Sequence, residues 1–207
     1  MELTVESRRG VSRAHPDIEG ARPFASVVLD VDRGISTIDG IEWLAARRGD
    51  LIARKVDALA TLVRDGVLDA DRGYADRLAL VRPRRDEVGA LSRAYCDAIA
   101  PGCADTISRF RRAGVRVLIA SRGFRHAMYG MVYRLGLDFG DVHAVDIRFD
   151  ALGAYAGFDR TAGVITATGK RALLTSLNLD GPVLVVGLGP AERAIDSFAQ
   201  LASIVLP

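Results

Sequence analysis

Lysine is almost missing from this chain of 207 residues. Of its 28 basic residues only Lys55 and Lys170 are not arginine, and the formal net charge is just +2. So small an excess, spread along the chain rather than gathered in a run, gives no electrostatic footing for nucleic acid. The scattered arginines read as solvated helix faces. Cysteine is equally scarce: Cys96 and Cys103 are too few for a disulfide framework and lack His or Cys neighbours for a metal set. No apolar run reaches membrane-spanning length, and the polar lead 1–22 lacks the apolar core of a secretory signal. These absences point to a cytoplasmic protein with neither a nucleic-acid nor a membrane partner. With 49% hydrophobic and 26% charged residues, the rest is ordinary for a soluble globule, and the length suits one α/β domain with a small insertion.

The apolar pattern divides the chain in a definite order. "FASVVLDV" (24–31) reads as a buried strand ending in acidic residues. From Gly40 to about Ala100, apolar residues recur at three- and four-residue spacing, punctuated by Gly66 and Pro83, which predicts successive helices. "VRVLIA" (115–120) is a second buried strand and "PVLVVG" a third. Between them, "VHAVDIRFDALGAYAGFD" holds two short strand-like runs around Leu152-Gly153, read as a hairpin. "FRHAMYGMVYRLG", "GKRALLTSLNL" and "PAERAIDSFAQLA" read as helices and "SIVLP" as a final strand. Strands alternating with helices imply α/β architecture, a Rossmann-like parallel sheet covered on both faces. The expected layout is a core of 23–38 and 101–207, interrupted by a helical cap at 39–100.

In an open parallel sheet, ligands bind outside the carboxyl ends of the strands, and four features fall there. Asp30 and Asp32 close the first strand; two carboxylates this near suit a nucleophile with an acid/base partner, a Mg²⁺ site, or a pair of capping aspartates. Ser121 and Gly123 follow the second strand, either as an anion site or as an N-cap serine with a turn glycine. Lys170 opens a later helix, as a charge for phosphate or carboxylate, or as a surface residue. The fourth is "VGLGPAE" (186–192), which lacks the third glycine of a dinucleotide fingerprint and leaves too little chain for a second nucleotide-binding half.

In this order, D-x-D, strand–Ser, Lys and strand–glycine turn resemble the haloacid dehalogenase superfamily of phosphohydrolases, and within it the phosphoserine phosphatases. "DGIEWLA", "ADRLALVRP" and "GAYAGFD" look like the corresponding stretches of that family. The resemblance implies that Asp30 attacks phosphorus to form an aspartyl-phosphate and that Asp32 serves as the general acid and base. It implies phosphate binding by Ser121, Arg122 and Gly123, with Lys170 neutralising charge at the nucleophile. It assigns Arg77 to a substrate carboxylate and Asp39 to its amine; a solvated arginine and a helix-start aspartate are the plainer readings. It further implies Mg²⁺ held by Asp30, the Asp32 main-chain oxygen and Glu192. The implied partner is a small phosphorylated metabolite such as phosphoserine, bound by a monomer or homodimer.

Three departures fall in catalytic loops. Gly34, preceded by Arg33, replaces a family threonine, and Arg122 replaces a glycine. Leu188 stands where relatives carry the carboxylate that coordinates Mg²⁺ directly, leaving Glu192 as the nearby acid; leucine cannot ligate a metal. A metal-dependent phosphatase and a degenerate relative that binds an anionic ligand or a protein partner without turnover are therefore both open on the sequence.

Overall fold

A computed structural model describes residues 23–186 and 197–206. The lead 1–22 and the positions Leu188 and Glu192 lie outside them. The strands are β1 (Ser26–Leu29), β2 (Arg116–Phe124), β3 (Val142–Val145), β4 (Ile147–Phe149), β5 (Tyr155–Phe158) and β6 (Val183–Val186). Four of them form a parallel sheet in the order β3-β2-β1-β6, and β4 and β5 pair as an antiparallel hairpin. The helices are α1 (Gly40–Ala46), α2 (Asp50–Arg64), α3 (Ala70–Val81), α4 (Arg85–Asp97), α5 (Cys103–Arg112), α6 (Arg125–Arg134), α7 (Ala167–Ser176) and α8 (Phe198–Val205). The expected α/β architecture is what folds.

β1 is central and all four of its residues are buried, which is why it reads as a continuous run rather than an alternating one. The chain passes from β1 outward through β2 to β3, then returns to the other side of β1 with β6. This reversal of strand order puts the carboxyl end of β1 at the switch point, where ligands bind in such sheets.

Three details differ from the sequence reading. VHAV, taken there as part of the hairpin region, forms the edge strand β3 of the main sheet, and the hairpin follows it. β2 does not stop at Ala120; it continues to Phe124 through a register shift between those two residues. In place of the predicted last strand, residues 203–205 close helix α8, because Phe198, Leu201, Ala202 and Val205 repeat at helical spacing and are all buried. Ser197 caps that helix by accepting from the Gln200 N–H at 3.1 Å.

Helices α1–α4 follow β1, and α5 leads into β2. Where the chain leaves and rejoins the core, the Thr37 N–H donates to Ala98 O (2.8 Å) and the Ala100 N–H to Ile35 O (2.9 Å). The guanidinium of Arg48 ties three helices together, with both NH groups on the Glu87 carboxylate at 2.5 Å and Nε on Val81 O at 2.9 Å. α4 is not detached from the core. It lies along α6, where Gly130 lets Ser92 and Cys96 approach closely.

α8 is fastened to α5 by Phe198, which is 3% exposed and whose carbonyl accepts from the Thr106 hydroxyl at 3.1 Å. Phe198→Ala is expected to cost about 3–5 kcal/mol of stability in denaturant unfolding; a loss below about 1 kcal/mol would show that α8 is not anchored there.

Candidate active site

Asp30 leaves the end of β1 with its side chain only 11% exposed. One carboxylate oxygen, Oδ1, accepts the Val31 N–H at 2.7 Å, and Oδ2 accepts from Lys170 Nζ at 3.3 Å. Lys170 lies in the first turn of α7, which Thr166 caps through the Gly169 N–H. At 5% exposure it is not a surface lysine. A buried ammonium needs a counter-charge, and a carboxylate at this distance provides one.

Residues 30–38 turn back tightly on the strand end: the Ile35 N–H donates to Asp30 O at 3.0 Å and the Ser36 N–H to Val31 O at 2.9 Å. The turn explains one departure from the family pattern. A Cβ on Gly34 would sit 2.4 Å from the Asp30 carbonyl oxygen, so this backbone path has no room for a threonine. Arg33, in the left-handed region at φ 58°, directs its side chain to Glu42 at the cavity rim.

Asp32 is the most perturbed acid. Its Oδ1 accepts from the Gly40 N–H at 2.9 Å and from the Tyr95 hydroxyl at 2.5 Å. Burial, reinforced by the negative charges of Asp39 and Asp30, raises its pKa to about 8 against the pull of those two hydrogen bonds. Burial likewise pushes the Tyr95 hydroxyl well above the usual tyrosine range, so it stays a donor.

Asp30, Asp32, Asp39, Arg77, Arg122 and Lys170 line one cavity of about 560 Å³, with Arg33, Glu42 and Arg64 among its other charged walls. Ser121 and Gly123, expected beside Arg122 at the phosphate, are not among the lining residues. Ser121 is fully buried and its hydroxyl accepts the Gly123 N–H at 3.1 Å, while Arg122 is exposed. Ser121 is thus a strand residue and not the cap of α6, whose N-cap is Phe124. Arg77 is not solvated. It is 8% exposed, its NH2 lies 3.8 Å from Asp39 Oδ1, and among the described residues its buried Nε has no hydrogen-bond partner. Asp39 does cap α1, accepting the Glu42 N–H at 3.0 Å, while also facing Arg77.

The Asp30 carboxylate and the Asp32 main-chain oxygen are hard oxygen donors of the kind Mg²⁺ takes, with waters completing its shell. They fit the ion. Among the described residues no group of three or more His, Cys, Asp or Glu is arranged to hold a metal.

Sequence reasoning missed three residues: Gly40, Tyr95 and Tyr74. Tyr74 donates to the carbonyl of Arg122 at 2.7 Å and packs edge-on to Phe158 at 5.3 Å, joining α3, β2 and β5. Tyr95 shares the buried face of α4 with Val88 and Leu91 and so reads as core. The available signal was chemical, since a buried tyrosine hydroxyl requires a partner.

No protein-family model matches the chain. Rat phosphoserine phosphatase is 30% identical over 145 residues, covering 70% of this chain and 64% of that protein, so the match spans just under two thirds of the relative's length. Among solved structures, the chain resembles a phosphoserine phosphohydrolase-like protein from Francisella tularensis (TM-score 0.72, 17% identity, 87% of this chain and 82% of that one). It also resembles a phospho-aspartyl intermediate analogue of phosphoserine phosphatase (TM-score 0.66, 20% identity, 82% and 80%). At these identities the structures establish the shared fold.

Two outcomes are expected. An acid with a raised pKa binds more protons in the folded than in the unfolded state, so Asp32 lowers stability as pH rises from about 4 to about 8. His143, depressed by burial, acts in the opposite sense below its ordinary value of 6.5. The difference between wild type and Asp32→Asn in metal-free pH-stability profiles therefore isolates the aspartate; parallel profiles would refute it. Gly34→Thr is expected to destabilise by about 1–3 kcal/mol through overpacking, measured by thermal unfolding, rather than to add a useful hydroxyl.

Proposed function

We propose that this chain, which belongs to the haloacid dehalogenase superfamily and is phosphoserine phosphatase-like, hydrolyses a small phosphate monoester through a covalent phosphate on Asp30. The observation that carries the reading is the placement of Asp30 against Lys170 in the cavity that Asp32, Arg122 and Arg77 also line.

Lys170 offsets the charge of the entering phosphate and holds the Asp30 carboxylate in place as the nucleophile. An Asp30 oxygen forms a bond to phosphorus, and the ester P–O bond breaks with its electron pair leaving on the ester oxygen. Asp32, kept protonated near neutrality by burial, gives that oxygen its proton. Water then attacks the phosphorus of the aspartyl-phosphate, Asp32 takes the water's proton, and the P–O bond to Asp30 breaks with its electron pair returning to the Asp30 carboxylate, releasing inorganic phosphate. When bound, Mg²⁺ would supply positive charge at the phosphate, held by Asp30, the Asp32 main-chain oxygen and Glu192.

Phosphoserine is the substrate this cavity suits. The Nε of Arg77, buried and without a hydrogen-bond partner among the described residues, is a donor that the substrate carboxylate would satisfy. Asp39 stands beside it for the amine.

The test is a Mg²⁺-supplemented assay of phosphate release from L-phosphoserine and a panel of small phosphate esters, with Asp30→Asn alongside. Turnover is expected to fall by about four orders of magnitude or more in Asp30→Asn, as when a covalent nucleophile is removed. Tight binding of these esters by calorimetry without turnover would replace the hydrolase reading with a ligand-binding one.

A further inference from the structure

We infer that Tyr95 is a positioning residue that locks Asp32 in one rotamer and leaves Oδ2 as the oxygen that carries and delivers the proton. The inference rests on the hydrolase reading above and adds a specific device to it.

The geometry is three-sided. Oδ1 of Asp32 accepts from the Gly40 N–H at 2.9 Å and from the Tyr95 hydroxyl at 2.5 Å. Two donors use both lone pairs of that oxygen, so a proton carried by the carboxyl sits on Oδ2. Oδ2 lies against the phosphate loop, 3.1 Å from where a Cβ on Gly123 would be.

The Tyr95 hydroxyl reaches Asp32 only because two positions lack side chains. A Cβ on Gly40 would come within 2.3 Å of that hydroxyl, and one on Gly123 within 3.1 Å. The slot is therefore built from the start of α1, the end of α4 and the shifted segment of β2. The ring of Tyr95 is fully buried in the core, so the hydroxyl is delivered by a rigid body rather than by a mobile side chain.

The consequence falls on one step. When the ester P–O bond breaks, its electron pair stays on the leaving oxygen, and the O–H bond at Asp32 Oδ2 breaks to transfer the proton there. Asp32 is left as a carboxylate with the two donors still on Oδ1. A misplaced Oδ2 hinders departure of an alkoxide, which needs the proton, and matters little to a nitrophenolate, which leaves without one.

Tyr95→Phe removes one oxygen and keeps the ring. We expect kcat for phosphoserine and other alkyl phosphates to fall roughly tenfold to a hundredfold, part of the usual worth of general acid catalysis. We expect KM to stay unchanged and kcat for p-nitrophenyl phosphate to change less than about threefold. Equal losses on both ester classes, or no loss on either, would overturn the assignment. A crystal structure of the variant gives a readout independent of turnover. Asp32 is expected to leave its rotamer or populate several; retention of the wild-type rotamer, with Oδ1 on the Gly40 N–H, overturns the inference. Should Tyr95→Phe fail to fold, Gly40→Ala displaces the same hydroxyl from the other side and must reproduce the alkyl-selective loss. If wild type hydrolyses neither ester class, the hydrolase reading fails, and the crystallographic result still decides what holds Asp32.

Discussion

Two carboxylates, two residues apart at the end of a fully buried strand, are the constraint from which the rest of the site follows. Asp30 is largely shut off from solvent, and at Asp32 burial and the neighbouring charges of Asp39 and Asp30 raise the cost of ionisation. The protein handles the two oppositely. Asp30 receives the buried ammonium of Lys170 from 140 residues away, whereas Asp32 receives only neutral donors and is pushed toward its protonated form. One strand end thus presents a carboxylate paired with a buried ammonium beside a carboxyl group pushed toward its neutral form.

That division depends on contacts spanning the whole chain. Tyr95 and Gly40 come from the two ends of the helical insertion, Lys170 from the first turn of α7, and Gly123 from β2. The helices between β1 and β2 are therefore part of the electrostatics of the site. Tyr74 makes a second such link, from α3 to the main chain at Arg122.

Much of this was legible in the sequence, and the reasons for success and failure differ by residue. The strand ending in Asp30, the helices from Gly40 onward and the hairpin around Leu152-Gly153 follow from periodicity and turn chemistry, which are local. Lys170 stood out because lysine is so rare here. Three things could not be read. A short apolar run such as VHAV is equally compatible with a hairpin or a sheet edge, and only tertiary pairing decides. SIVLP has β-branched residues, yet its first three residues join the helical spacing of Phe198 and Leu201 once α5 supplies a surface to pack against. Tyr95 lay hidden within a helical apolar stripe, since periodicity says that a side chain is buried and not what its one polar atom touches. Gly34 looked like a lost hydroxyl donor; the structure makes it a steric requirement of the turn around the Asp30 carbonyl.

The hydrogen bond from Tyr74 reaches the carbonyl of Arg122, not its guanidinium. The backbone at Arg122 is thereby pinned by a residue of α3, while the side chain at that position stays exposed to solvent. Loop path and side-chain identity are decoupled at position 122. Such a site can exchange glycine for arginine, or arginine for another residue, without dislodging its neighbours, and so offers evolution a place to retune which molecules enter while the chemistry beneath is left intact.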